Sequence, residues 1–478
     1  MAAAPTIVWF RDDLRIADNT ALTAAAKQDA PLICVFVLDE ASSHFRAHGG
    51  ASRWWLAQSL RALDRDLHKL KQTLILRRGA ASDVIPALAR KTCARQVYWN
   101  RRYDQPGIAA DDAVIAKLQA DHISGGTFAG NLLVEPSRIQ NKDGGPLRVF
   151  TPFWKRILAM GELRSPLPAP KFLPPAPEGI VSDAIEDWQL EPSRPDWAGG
   201  IRDAWTPGEA AARERLADFL DDIKGYSGDR DRPDKPATSR LSPHLRFGEI
   251  SPIEIVHAAR FAADKGASSQ DIEKFLSELG WREFSYHLLH RYPDLATRNL
   301  QQRFDAFPWR SDAASLKAWQ RGQTGNPILD AGMRELWHTG WMHNRVRMVV
   351  ASFLIKHLLI DWRLGEQWFW DTLVDADPAN NTASWQWVAG SGADAAPYFR
   401  IFNPVSQGEK FDPHGAYVRQ WVPEIAALPD KFIHKPWLAS EAVLADAGVT
   451  RGKTYPHPIV DHDTARKRAL GAFKHVKN

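Results

Sequence analysis

The chain has 478 residues, beyond the roughly 250–300 at which one hydrophobic core stops growing, so its length calls for two domains. Charged residues at 25% and hydrophobic ones at 44% are ordinary globular values and exclude a largely disordered chain. A formal net charge of +4 permits an anionic partner without requiring one, and 20 Trp against 8 Tyr supply many large, oxidisable ring faces, most of them expected as packing.

In chain order, short apolar runs at 6–10, 31–38, 73–76, 96–99 and 132–134 alternate with amphipathic segments at 20–27, 52–70, 81–90 and 111–119. That alternation predicts a doubly wound parallel sheet with helices on both faces. A dinucleotide-binding sheet carries Gly-x-Gly-x-x-Gly after its first strand, whereas here Arg11-Asp12-Asp13-Leu14-Arg15 follows Phe10, so the sheet is not expected to bind NAD or FAD. Residues 1–5 show no basic, apolar leader pattern, and the longest apolar stretch, around 348–355, is too short to span a bilayer. The expectation is a soluble, cytoplasmic protein without a membrane partner, with Cys34 and Cys93 as buried thiols rather than a disulfide.

Eight prolines between 165 and 195 deny regular helix and mark a connector. Beyond Thr206 the period turns helical, with segments expected at 209–220, 251–262, 271–290, 326–339, 342–357 and 365–373. The domain boundaries read as 1–135 for the α/β domain, 136–204 for the connector and 205–478 for an all-α domain.

Four segments of the helical half carry candidate chemistry. Thr238-Ser239-Arg240-Leu241-Ser242 places hydroxyls and a guanidinium in a loop, a composition that suits phosphate oxygens and equally suits a helix N-cap. Glu278, Trp281 and Arg282 stand one helical turn apart, as a shared cavity wall or as an i,i+4 surface pair beside a core ring. Trp341, Asn344 and Met348 are expected on one stripe with Arg345 beside it, facing a ligand or a buried network. A loop-like stretch from Asp375 and Asp377 through Asn381, Trp385 and Trp387 combines acids, amides and indoles able to read a heterocycle's edge or relay electrons.

These segments, with Trp9–Arg15 and the motif at 395–404, resemble the photolyase and cryptochrome family over nearly the whole chain, in the form that repairs cyclobutane dimers. The resemblance implies an N-terminal antenna domain and a helical domain that holds FAD. Its cofactor contacts carry over to Tyr226, Thr238, Ser239, Arg240, Leu241, Ser242, Phe275, Arg282, Arg345, Asp375, Asp377 and Asn381, with Arg345 and Asp375 expected to form an ion pair. Its substrate contacts carry over to Glu278, Trp281, Asn344, Met348 and Trp387, gripping a flipped-out pyrimidine dimer in ultraviolet-damaged DNA. Trp385, Trp362 and Trp309 match a three-tryptophan chain that reduces the flavin from the surface. The implied catalytic set is therefore Glu278, Asn381, Trp385, Trp362 and Trp309, with no metal. A second chromophore, methenyltetrahydrofolate or a deazaflavin, is expected near Arg11–Arg15 and Trp99–Asp104, and a monomer suffices. The rival within the family is a signalling cryptochrome, which the short basic segment at 466–477 and the retained substrate residues disfavour.

Overall fold

The computed structural model describes residues 3–42, 45–141, 143–394 and 399–477, and packing divides the chain into two compact units. The first gathers residues 1–198, 205–224 and 239–293, and the second gathers 199–204, 225–238 and 294–478.

In the first unit β1 (Thr6–Phe10), α1 (Thr20–Ala26), β2 (Leu32–Leu38), α2 (Gly50–Lys69), β3 (Leu74–Arg78), α3 (Ala81–Lys91), β4 (Gln96–Asn100), α4 (Gln105–Ala120) and β5 (Ser124–Phe128) follow one another. The strands are all parallel, in the order β3-β2-β1-β4-β5, with Ile7 level with Ile33 on one side and Val97 on the other. β1 and β2 are buried at every position because helices cover both faces, which is why they read as unbroken apolar runs.

The fifth strand is not the expected 132–134 but Ser124–Phe128, whose Gly125 and Gly126 hide it from propensity. The glycines are needed for close approach: a Cβ on Gly126 would lie 2.7 Å from the Tyr98 ring, and one on Gly125 would lie 3.2 Å from Trp99. The run at 132–134 is a buried loop whose Leu133 and Val134 amides donate to Glu283 Oε2 at 2.8 and 3.4 Å. Cys34 is buried as expected, but Cys93 is exposed, in a left-handed turn (φ 55°) after α3.

A doubly wound sheet usually binds ligands where strand order reverses, here at the carboxyl ends of β1 and β4. The protein's own polar side chains meet there. Arg11 donates to Asp111 Oδ1 at 2.6 Å and to the Asn100 carbonyl at 2.5 Å, and Asn100 Nδ2 donates to Asp13 Oδ2 at 2.6 Å. Asn19 Nδ2 reaches the same Asp13 oxygen at 3.2 Å, while Thr20 donates to Asn100 Oδ1 at 2.6 Å. Arg102 pairs with Asp104 and Asp12, and Arg246 with Asp12. The two loops expected to border an antenna thus carry an ionic network.

In the second unit the helices Pro327–Thr339, Asn344–Ser352, Trp362–Thr372 and Asn380–Ala389 surround a core of Met342, Val350, Leu354, Trp319, Trp362 and Trp385. The expected helix at 342–357 starts at Asn344 and passes into a π-helical turn at Phe353–His357. The stretch expected as a loop contains the helix Asn380–Ala389, because Asp377 Oδ1 accepts from the amides of Ala379 and Asn380 and so starts it. Among the described residues no helix is long and apolar enough to cross a membrane.

Asp13→Ala would remove the acceptor of the Arg11 N–H and one acceptor each from the Asn19 and Asn100 amides, which keep others, and is expected to cost about 1–3 kcal/mol in stability, read as a lowered urea midpoint at unchanged slope.

Candidate functional site

In the first unit the candidate residues sit on the 23-residue helix Ser269–Arg291, capped by Ser268, which accepts from the Asp271 amide. Glu278 and Arg282 do not pair with each other. Lys274 Nζ lies 3.0 Å from Glu278 Oε1, whereas Arg282 donates to the Asn131 carbonyl at 2.8 Å and stands over the Tyr286 ring at 5.0 Å. Trp281 is half-buried, and Phe150 stacks on it with centroids 3.9 Å apart and planes 6° apart. Phe275 is buried against Phe219 at 4.7 Å.

Sequence reasoning missed Phe150 and Glu283. Phe150 opens the helix Phe150–Leu158 far from Trp281 in the chain, and nothing local marks it as a partner. Glu283 was hidden beside the louder Arg282, yet it is 2% exposed and burial pushes its carboxyl up to about 7, against the pull of Arg282 and two amides.

The loop at 238–242 divides between the units, with Thr238 in the second and Ser239 to Ser242 in the first. Arg240 takes a left-handed φ of 51° and lays its guanidinium 4.4 Å over Trp205, so its charge rests on a ring. Leu241 is buried and Ser242 exposed at the start of the short helix Ser242–Arg246. Tyr226 is buried and follows Gly225, whose φ of 86° makes the turn.

In the second unit the expected Arg345–Asp375 pair is replaced. Asp375 is held bidentately by Arg347, at 3.1 and 2.8 Å, while Arg345 donates to Asp231 at 2.7 Å and lies 4.4 Å over Phe411. Two residues along a helix are about 200° apart around it, so these arginines serve opposite sides. Trp341 precedes the helix and is buried, so it shares no helical stripe with exposed Asn344 and half-buried Met348.

Asn381 is the most constrained residue of the set. Its Nδ2 donates to both the Glu366 carbonyl at 3.1 Å and Glu366 Oε1 at 2.8 Å. A main-chain carbonyl only accepts, so the amide nitrogen must face Glu366 and Oδ1 is left as an oriented acceptor. Neighbouring Thr382 is 1% exposed and its hydroxyl is unpartnered. One turn along, Trp385 is buried against Phe369 and Trp319, with centroids at 5.0 and 6.3 Å. Its ring crosses Gly365, where a Cβ would stand 2.2 Å away, and Gly365 follows Trp362 by three residues. Trp362 is fully buried with Nε1 donating to Asn299 at 3.0 Å, and Trp309 is partly exposed beside Phe307 at 4.4 Å. Gln386, also missed, holds the loop that carries Asn299 by donating to the carbonyls of Leu295 and Arg298. Trp387 is half-buried and donates to the Asp394 carbonyl.

A cavity of about 990 Å³ opens in this unit. Arg232, Arg345, Arg400, Lys410 and Arg466 line it against one acid, Asp231, with Phe399, Phe402 and Phe411 as apolar walls. Residues 395–398 of the C-terminal motif lie outside the described residues.

A family model described as the FAD binding domain of DNA photolyase matches residues 275–475, and one described as DNA photolyase matches residues 6–171. The deoxyribodipyrimidine photo-lyase of Agrobacterium fabrum is 53% identical over 100% of this chain and 99% of its own. Cryptochrome-1 of Arabidopsis thaliana is 39% identical over 98% of this chain and 70% of its own. The crystal structure of a bacterial class III photolyase from Agrobacterium tumefaciens superposes with a TM-score of 0.96 at 54% identity, covering 100% of this chain and 98% of that one.

Gly365→Ala is expected to push Trp385 off the helix and cost about 1–3 kcal/mol, seen as a lower melting temperature and altered tryptophan fluorescence. Glu283 has a folded pKa of about 7 against 4.5 unfolded, so the native state binds the extra proton and stability falls as pH rises between those values. Relative to Glu283→Gln, the wild type should therefore lose on the order of 2–3 kcal/mol from pH 4.5 to 7 and little more above, as urea titrations would show.

Proposed function

The chain belongs to the DNA photolyase family and repairs DNA in a light-dependent reaction as a deoxyribodipyrimidine photo-lyase, and from that premise we propose how its residues divide the work. Bound in reduced form, FAD would supply the light-driven one-electron chemistry by which the two carbon–carbon bonds of a pyrimidine dimer can open without net oxidation or reduction. The observation that carries the assignment of residues is the locked amide of Asn381.

With its nitrogen tied to Glu366, Asn381 offers Oδ1 to an N–H of a flat heterocycle and cannot turn to offer a donor instead. That donor set fits a reduced flavin, whose ring edge has an N–H to match. Asp375, with its charge balanced by Arg347, and Asp377, which starts the helix bearing Asn381, complete the polar edge in this unit. Tyr226, Thr238, Ser239, Arg240, Leu241, Ser242, Phe275 and Arg282 are proposed for the rest of the cofactor. Arg345 leaves that group: its partner is Asp231 and it lines the cationic cavity, so we assign it to DNA.

Substrate contacts are assigned to Glu278 and Trp281 in the first unit and to Asn344, Met348 and Trp387 in the second, for a dimer extruded from the helix. Trp281 meets that role with its plane already set by Phe150. The cavity lined by Arg345, Arg400 and Lys410 suits the sugar-phosphate backbone, which gives affinity that falls with salt and reads no sequence. A folate or deazaflavin antenna, a monomeric state and a cytoplasmic location complete the proposal.

Trp385, Trp362 and Trp309 are the proposed route by which electrons enter from solvent. Burial grades in that sense, from two enclosed rings to a partly exposed one. Trp385→Phe is expected to slow photoreduction of the oxidised flavin by about ten-fold or more, roughly 1.4 kcal/mol in barrier, while chemically pre-reduced enzyme repairs a dimer-containing oligonucleotide at the wild-type rate. Parallel loss of both activities would refute this division of roles.

A further inference from the structure

The basic segment at the C-terminal end of the sequence has no part in the assignments above, yet it forms one wall of the cationic cavity. The helix His462–Lys477 has three faces. Ala465, Ala469, Ala472 and Val476, spaced i, i+4, i+7 and i+11, are buried, the last three in a cluster with Phe304, Phe307 and Leu359. Alanines let the helix axis come close, and His462 Nδ1 within 2.8 Å of His357 Nε2, with Arg468 donating to the His357 carbonyl, fixes its register. Beside that seam, Arg466, Leu470 and Phe473, at i, i+4 and i+7, line the cavity. Lys467 and Lys474 are exposed and are not among the residues lining it.

The wall also supports its neighbour. Phe473 stacks on Phe399 at 4.5 Å with planes 10° apart, and buried Lys356 donates to the Arg400 carbonyl while lying 4.6 Å over the same Phe399 ring. The segment that presents Arg400 is therefore gripped from both sides. Of the five cations lining the cavity, Arg345 is engaged by Asp231 and Arg232 by Asp234, while Arg466 is exposed.

From this placement we infer that the C-terminal helix is part of the DNA-binding surface, with Arg466 contacting a backbone phosphate and Phe473 holding Arg400 in position to contact another. The inference rests on the reading of the cavity as the backbone site and adds to it a helix held rigid in the unbound protein, which lowers the ordering cost of binding. Charge complementarity selects the occupant: five cations to one acid suit a polyanion, and the substrate already supplies one.

The test measures affinity of the flavin-loaded enzyme for dimer-containing and undamaged duplexes from about 50 to 300 mM salt. Arg466→Ala should weaken both about three- to ten-fold at low salt and reduce the slope of log K against log salt by about one. Phe473→Leu should weaken binding through Arg400, so that it adds little on top of Arg400→Ala. Lys467→Ala, on the outer face, should leave affinity within about two-fold. An unchanged slope for Arg466→Ala, or an equal effect from Lys467→Ala, overturns the inference. If Arg400→Ala and Arg345→Ala are also without effect, the backbone site itself is misplaced; if they weaken binding and Arg466→Ala does not, the helix alone is excluded.

Discussion

The close approach of the helices Trp362–Thr372 and Asn380–Ala389 at Gly365 is the constraint on which the chemistry of the C-terminal unit depends. With no Cβ at Gly365, the Trp385 ring lies directly on the opposing backbone, and a single methyl group would meet it at 2.2 Å. That one contact sets everything on the two helices. Glu366, the next residue, comes within hydrogen-bonding reach of Asn381, and Trp362, three residues earlier, lies on the same stretch of helix that Trp385 crosses. An amide that must be aimed and a ring that must be close are thus served by the same packing, without a separate device for each. Interiors are close-packed and transmit small displacements, so neither can be adjusted alone.

The N-terminal unit shows the opposite use of polar groups. Its sheet has the topology that elsewhere leaves a ligand crevice at the end of the first strand, and Arg11, Asp13, Asn19, Asn100 and Asp111 hydrogen-bond to one another there, with Arg11 Nε left unpartnered. Burying so many charges is costly unless each is matched, and here Arg11 is matched by Asp111 while Asp13 accepts from two amides and a main-chain N–H. Burial raises the pKa of Asp13 above its ordinary value even with the Arg11 amide and Arg15 opposing it.

The sequence was legible wherever a local period decided the structure. Four of the five strands and the main helices fall within a few residues of where alternation and 3.6-residue periodicity put them, with the helix before β5 beginning earlier because Asp104 caps it. It was illegible where a distant partner decided. β5 is a strand through its pairing with β4 and is glycine-rich because the Tyr98 and Trp99 rings lie against it, and Asn380–Ala389 is a helix because Asp377 starts it inside a stretch whose acids, amides and indoles look like a loop. The candidate site divides along the same line. Helical spacing marked Glu278 and Trp281, and a cluster of acids, amides and indoles marked Asn381 and Trp385, but the partners that orient them, Phe150 for Trp281 and Glu366 for Asn381, lie 131 and 15 residues away in the chain and carry no local mark.

The exchange of Arg345 for Arg347 beside Asp375 has the widest consequence. The helix Asn344–Ser352 buries Val346, Val349 and Val350 in the core, which leaves its other positions to be sorted by angle alone. Arg347, whose Nε also donates to the Met342 carbonyl, is held on the side of the buried acid; Arg345 faces Asp231, Phe411 and the cationic cavity. One short helix therefore separates two kinds of positive charge: one neutralises a carboxylate at the proposed cofactor edge and the other, paired with Asp231, lines the cavity proposed for a polyanion. Moving an arginine by two positions would remove a counter-charge from Asp375 and add a cation where none is used. Their order along the chain is fixed by that geometry, since no change of side-chain rotamer carries either guanidinium through 200°.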